Sequence, residues 1–297
     1  MLLLGAIWGL SYVFIRVASP VMGPAVLMLV RFSVGGLAIL GYLALRGGAG
    51  TALADLRRHP GPFLVGGLFF AALPTTLIAF AELRLTASLA TVLNASTPFF
   101  AAMGAAVWLK EAFPARRVFG LLLGFFGVGV AVGTNGLAVG WGASLSVGAS
   151  ITAAACYGLY GVYLRRSALP VRGVSFSLGT QLMAAVLLLA PGAATYRPFA
   201  WSTPVLVAAL GLGLASTAFA YLLYHYLIEH VGATQTSTVT FVSPVFGILA
   251  AAVLLGEPIG IGLVAGLALI VIGILLSTPT PGLLGSTLRR RSGPAAP

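Results

Sequence analysis

Acidic side chains are nearly absent: five Asp and Glu stand against sixteen Lys and Arg in 297 residues, and charged residues of both signs make up only 7%. Soluble domains carry roughly 25% charged residues. No single core in a chain of this length hides a 59% hydrophobic composition from water. With a mean hydropathy of +1.07, the solvent that fits the chain is the lipid bilayer. Cysteine occurs once, as Cys156 inside an apolar run, which excludes an internal disulfide and a multi-cysteine metal site. Zinc-helix and phosphate-loop motifs are missing, and the five acidic residues fall outside the central layer of the apolar runs. An enzyme is therefore not expected, and neither are catalytic residues, a metal or a cofactor. The formal charge of +11 does not indicate nucleic-acid binding, because the basic residues sit in short gaps between apolar runs rather than on one face among aromatics.

Those apolar runs are close to the twenty residues that span about 30 Å of hydrocarbon. Ten can be marked off, at 2–19, 24–45, 62–83, 85–109, 118–134, 141–164, 174–189, 204–227, 233–255 and 259–276. The chain enters the first almost at once, without the basic leader of a signal peptide, so the first run is expected to be a membrane helix. The expected fold is an all-α integral membrane protein. With the N-terminus on one face, that face receives Arg46, Arg57, Arg58, Lys110, Arg116, Arg117, Arg165, Arg166, Arg172, Arg289, Arg290 and Arg291. The other receives Arg16, Arg84 and Arg197. The positive-inside rule places both termini in the cytoplasm, in a plasma (inner) membrane.

The chain also repeats. An offset of 146 pairs Pro98 with Pro244, Leu109 with Leu255, Glu111 with Glu257, Gly120 with Gly266 and Gly127 with Gly273. Near the start of each half the offset is 149, pairing Gly9 with Gly158, Val13 with Val162 and Arg16 with Arg165. Five helices per unit is an odd number, so the second unit begins on the other side of the membrane and the repeats are inverted. The division expected is 1–140 for the first unit, 141–278 for the second and 279–297 for a basic, disordered tail.

The Trp8-Gly9 pair with Arg16, the Arg31-Phe32 pair, the Pro98 helix ending in Lys110-Glu111 and the Pro244 helix ending in Gly256-Glu257-Pro258 resemble the EamA-type members of the drug/metabolite transporter superfamily. The resemblance covers nearly the whole chain. It implies ten helices, a central cavity flanked by helices one to four and six to nine, and export of amino acids or related metabolites. In the second half Gln181 stands near the place of Arg31, so a role for that arginine is not duplicated.

The fourth and ninth runs hold the densest polar sequence, and the repeat relates Thr91, Asn94 and Pro98 to Ser237, Thr240 and Pro244 on one helical face each. Each proline frees a carbonyl one turn back, at Asn94 and Thr240, which a ligand can bind. The alternative is that the hydroxyls bond back within their own helices and the prolines are packing kinks. Trp8, Tyr12, Tyr157 and Tyr160 supply aromatic walls, and Ser11 and Thr75 complete the candidate cavity. Arg31, about 10 Å deep in the second run, either snorkels to the interface or acts as a gating or carboxylate-binding group. Arg16 and Arg165 sit at opposite membrane edges as anchors or gates. Gly120 with Gly124 and Gly262 with Gly266 give the fifth and tenth runs small faces, suited to scaffold packing or to a homodimer.

The expected function is a secondary transporter of small metabolites working by alternating access around a midplane cavity, with an amino acid, aromatic or otherwise apolar, as cargo. Nucleosides, sugars or drug-like solutes are the alternative cargo, and a structural membrane protein is the alternative without transport. With Glu82 and His225 placed near water at the ends of their helices, the simplest coupling is facilitated diffusion or exchange.

Overall fold

The computed structural model describes residues 1–134, 141–167, 173–232, 236 and 239–277. The tail 279–297, Ser237 and Arg172 lie outside the described residues. Among the described residues the chain is helical, without strands. Eight helices are long and apolar enough to cross a membrane: α1 Leu2–Met22, α2 Pro24–Leu45, α3 Pro60–Ala81, α4 Ala87–Trp108, α5 Ala115–Gly133, α6 Trp141–Arg166, α7 Gly173–Thr195 and α8 Thr203–Val231. Two shorter apolar helices follow, α9 Val239–Leu255 and α10 Ile261–Ser277. Their 17 residues rise about 25 Å, enough for a thinned hydrocarbon layer.

Each run of the sequence thus becomes one apolar helix, with informative differences at the ends. α1 and α7 continue through Pro20 and Pro191, past the ends of the apolar runs at 19 and 189. A proline in the last turns removes one hydrogen bond, and the interface can satisfy the freed carbonyl. The connection after α2 folds into a short helix, Ala49–Arg58, that buries Ala52 and rests on α2 and α7. Its last turn carries Arg57 and Arg58, where cations meet the negative end of the helix dipole. Below, the face where α1 begins and α10 ends is called the basic face.

The repeat is visible in the packing. A Cβ on Gly9 of α1 would lie 2.7 Å from the Ser243 carbonyl and 2.6 Å from the Gly247 nitrogen of α9. A Cβ on Gly158 of α6 would lie 2.6 Å from the Thr97 carbonyl and 2.7 Å from the Ala101 nitrogen of α4. The two offsets that relate the sequences carry one set of contacts onto the other, so α1 meets α9 as α6 meets α4. The ends of α4 and α9 also match: Lys110 and Gly256 are left-handed, at φ 54° and 67°, and the Glu111 and Glu257 amides reach back to Ala105 and Ala251, both at 3.3 Å. A left-handed residue after a helix is the common way to end it.

α5 and α10 pack on each other along their glycines. A Cβ on Gly120 would sit 2.5 Å from the Gly273 carbonyl, and one on Gly266 would sit 2.7 Å from that of Gly127. Gly124 receives the Phe99 ring and Gly262 the Thr134 side chain. These small faces are used inside the chain and give no support to a homodimer.

Both units also widen at their third helix. A π-helical segment interrupts α3 at Gly67–Ala72 and α8 at Gly211–Phe219. Such turns are rare and concentrate at functional sites. Here they carry Phe70, which meets Tyr157 and Tyr160, and Thr217, which meets Arg31.

Candidate functional site

Arg31 organises the centre. It is 8% exposed, and its Nε donates to Thr217 Oγ1 at 3.0 Å, in the π-helical segment of α8. The side chain therefore turns inward across the bundle instead of snorkelling. Among the described residues no carboxylate pairs with it; the phenols of Tyr12, Tyr157 and Tyr221 are the groups within electrostatic reach. A buried guanidinium without a counter-anion is costly, so the arrangement suits an anion supplied from outside the chain.

Among the described residues, Asn94 Oδ1 and the Tyr160 hydroxyl are buried without a hydrogen-bond partner, and the Gln181 amide lies beside the Tyr221 phenol. Gln181, in the place related to Arg31, is fully buried. The rings form a connected wall. Trp8 meets Tyr221 at 6.3 Å and Tyr224 at 5.7 Å, and Phe70 meets Tyr157, Tyr160 and Tyr221 at 5.9, 5.1 and 6.0 Å. Tyr12 is buried on α1 within this group.

The hydroxyls bond back within their own helices, the alternative weighed from the sequence. Ser11 donates to Trp8 O at 2.5 Å, Thr75 to Ala71 O at 2.7 Å and Thr91 to Ala87 O at 2.7 Å, all within their own helices. The Asn94 carbonyl, freed by Pro98, is taken by the Thr97 hydroxyl at 2.8 Å. A hydroxyl one turn ahead of a free carbonyl satisfies it locally, which lipid cannot do. On α4 the buried side-chain oxygen left without a partner among the described residues is Asn94 Oδ1. On α9, Pro244 is buried, while Thr240 is exposed on the face that also holds Gly247, ~20° away at 100° per residue. Asn94→Leu should lower transport at least tenfold, about the value of one lost hydrogen bond in a desolvated site. Thr91→Val should stay within about twofold, because its hydroxyl already serves the helix. Initial-rate assays on both variants, normalised to folded protein, check this contrast.

Phe70 and Thr217 were not singled out from the sequence. Both sit in π-helical segments, and the only sequence signal is the pair of glycines that opens each, Gly66-Gly67 and Gly211 with Gly213.

The membrane edges carry carboxylates with distinct partners. At the basic face Glu111 Oε1 accepts from Arg165 Nη2 at 2.5 Å, and Glu111 Oε2 lies 3.6 Å from Arg117. At the opposite face Glu257 accepts from the Ala87 and Ser88 amides at 2.8 and 3.0 Å and from Ser88 Oγ at 2.6 Å, capping α4. Arg16 Nη1 donates to the Glu82 carbonyl. Glu82, expected near water, is fully buried. His225 is half-buried and shares a 2.7 Å hydrogen bond with Ser177 Oγ.

Ten apolar helices in two repeats, converging on a central polar and aromatic site, define a multi-pass membrane transporter. The sequence matches the EamA-like transporter family over residues 1–133 and again over 144–278. The chain belongs to that family. It is 25% identical over 269 residues to an uncharacterized transporter of Archaeoglobus fulgidus, covering 91% of this chain and 94% of the relative. It is 28% identical over 276 residues to the uncharacterized inner membrane transporter YedA of Escherichia coli K12, covering 92% of this chain and 87% of that one. A crystal structure at 21% identity superposes with a TM-score of 0.64 over 98% of each chain, which shows the shared fold.

Proposed function

We propose that this chain is a secondary transporter that exports amino acids by alternating access around the Arg31 site. The observation that carries the reading is a buried guanidinium, held by Thr217 and paired with no carboxylate among the described residues. A substrate carboxylate answers that charge with a charge-assisted hydrogen bond. Asn94 Oδ1 offers an acceptor for the ammonium group, and the wall of Trp8, Phe70, Tyr157 and Tyr221 suits an apolar or aromatic side chain. Nucleosides and sugars would leave the arginine unanswered. The like packing of α1 on α9 and of α6 on α4 supports alternating access, since two related halves can exchange conformations.

Counterflow of a radiolabelled amino-acid panel in proteoliposomes tests the cargo. Saturable exchange of an amino acid, with little or none of the amine lacking its carboxylate, is the expected result; equal transport of that amine would sink it.

We place the chain in the inner membrane with both termini cytoplasmic, which puts Glu111 inside and Glu257 outside. Single cysteines at positions 111 and 257, in a Cys156→Ala background, should react with a membrane-impermeant maleimide from opposite sides. Reaction of both from one side would remove the inverted topology.

A further inference from the structure

Glu82 lies one residue beyond α3, is 0% exposed, and among the described residues neither of its carboxyl oxygens has a hydrogen-bond partner. An ionised carboxylate sealed from water without a donor costs several kcal/mol, a cost that the neutral acid avoids. The charged groups that reach it are Arg16 of α1 and Glu257 of the connection after α9. Burial pushes the Glu82 carboxyl well above the ordinary carboxylate range; Arg16 opposes this and Glu257 adds to it. α6, which packs along α3, carries its two arginines at the other membrane edge, and α2 contributes only Arg31, deeper in. Arg84, in the same connection, turns to Gly142 of α6.

Three sets of bonds seal this edge. Arg16 holds the Glu82 carbonyl, Ser19 Oγ donates to Ala79 O at 2.9 Å, and Glu257 caps α4 through Ala87 and Ser88. The basic face shows an alternative arrangement of related residues. There Arg165, the repeat partner of Arg16, is paired with a carboxylate, Glu111, the repeat partner of Glu257. Arginine and carboxylate are therefore joined at one edge and parted at the other. Opening the face opposite the basic one would free Arg16 from the carbonyl and let water reach Glu82.

We propose that Glu82 is a proton-binding site that ties closure of this face to protonation, neutral while the face is closed and ionised beside the released Arg16 when it opens. The proposal rests on the reading of the chain as an alternating-access carrier, and not on the identity of its cargo. It also replaces the uncoupled carrier expected from the sequence with one that a pH difference can bias. The sign follows from linkage: the closed form binds one proton more, so lower pH favours closure and higher pH favours opening. Above the ordinary carboxyl value of about 4.3 for the open form, the closed-to-open ratio falls about tenfold per pH unit until the closed form itself ionises.

The test uses the full chain in proteoliposomes with Thr91→Cys as reporter in a Cys156→Ala background. Thr91 packs on Gly247 of α9 where α4 and α9 meet, so the new thiol becomes reactive when they part. Labelling by an impermeant maleimide is compared with that of a Glu82→Gln partner at each pH, which cancels the ionisation of the thiol itself. Relative to Glu82→Gln, the Glu82 protein should label up to about tenfold faster per pH unit as pH rises, and Glu82→Asp should keep that dependence. Parallel profiles for Glu82 and Glu82→Gln would overturn the proposal. Should Glu82→Gln fail to fold, the infrared band of a protonated carboxyl in the unsubstituted protein decides: its loss in step with increased labelling supports the proposal, and its absence in the closed protein overturns it. Neither readout needs cargo, so failure of the amino-acid reading would leave this result interpretable by itself.

Discussion

Arg31→Leu should abolish carboxylate-dependent transport while leaving the protein folded. The guanidinium is buried, 5.6 Å from the Phe32 ring centre, and among the described residues its side-chain hydrogen bond is to Thr217. Replacing an uncompensated buried charge by an apolar group is neutral or stabilising for a fold. A charged hydrogen bond to the substrate is worth about 1.5–3 kcal/mol, or roughly 10- to 150-fold in affinity. Arg31→Lys should recover only part of the loss, since an ammonium does not reproduce a planar two-pronged contact. The checks are counterflow rate and melting temperature measured together. A variant that transports normally would separate Arg31 from substrate, and one that fails to fold would make its bond to Thr217 structural.

The largest effect on stability is expected at the α5–α10 contact. Gly120→Leu would place a side chain where even a Cβ lies 2.5 Å from the Gly273 carbonyl, and that carbonyl belongs to backbone that cannot yield. The two helices must separate, with a loss of at least about 1–3 kcal/mol, the usual scale for overpacking, and more where backbone is displaced. Gly129→Leu is the control on the same helix, because nothing lies within 4 Å of its added Cβ. Detergent melting curves should show a large drop for Gly120→Leu and almost none for Gly129→Leu. Equal behaviour would mean that the close approach of α5 and α10 is not what holds them.

Much of the site was half legible. Pro98 and Pro244, Glu111 and Glu257, and Arg16 and Arg165 stood out because a repeat leaves matched residue types at fixed offsets. The hydroxyls misled, because helical spacing shows which face a threonine shares but not whether it bonds one turn back, as Thr91 does to Ala87. Thr217 and Phe70 were missed for a related reason. A π-helical segment changes the angle between successive side chains, so counting at 3.6 residues per turn does not find what it points inward.

What the amino-acid sequence determined alone is the solvent, the ten apolar helices and the twofold repeat, because composition, run length and offset are properties of the chain read in one dimension. The family followed from the same information. The tertiary structure decided the partners. It set the glycines of α5 and α10 against each other and sealed Glu82 from water. It also turned Arg31 toward Thr217, a residue 186 positions away. These are facts about which helix faces meet. In a bilayer, where every helix is apolar on most sides, hydrophobicity does not choose among those faces; close packing of small residues and the bonding of a few polar groups do.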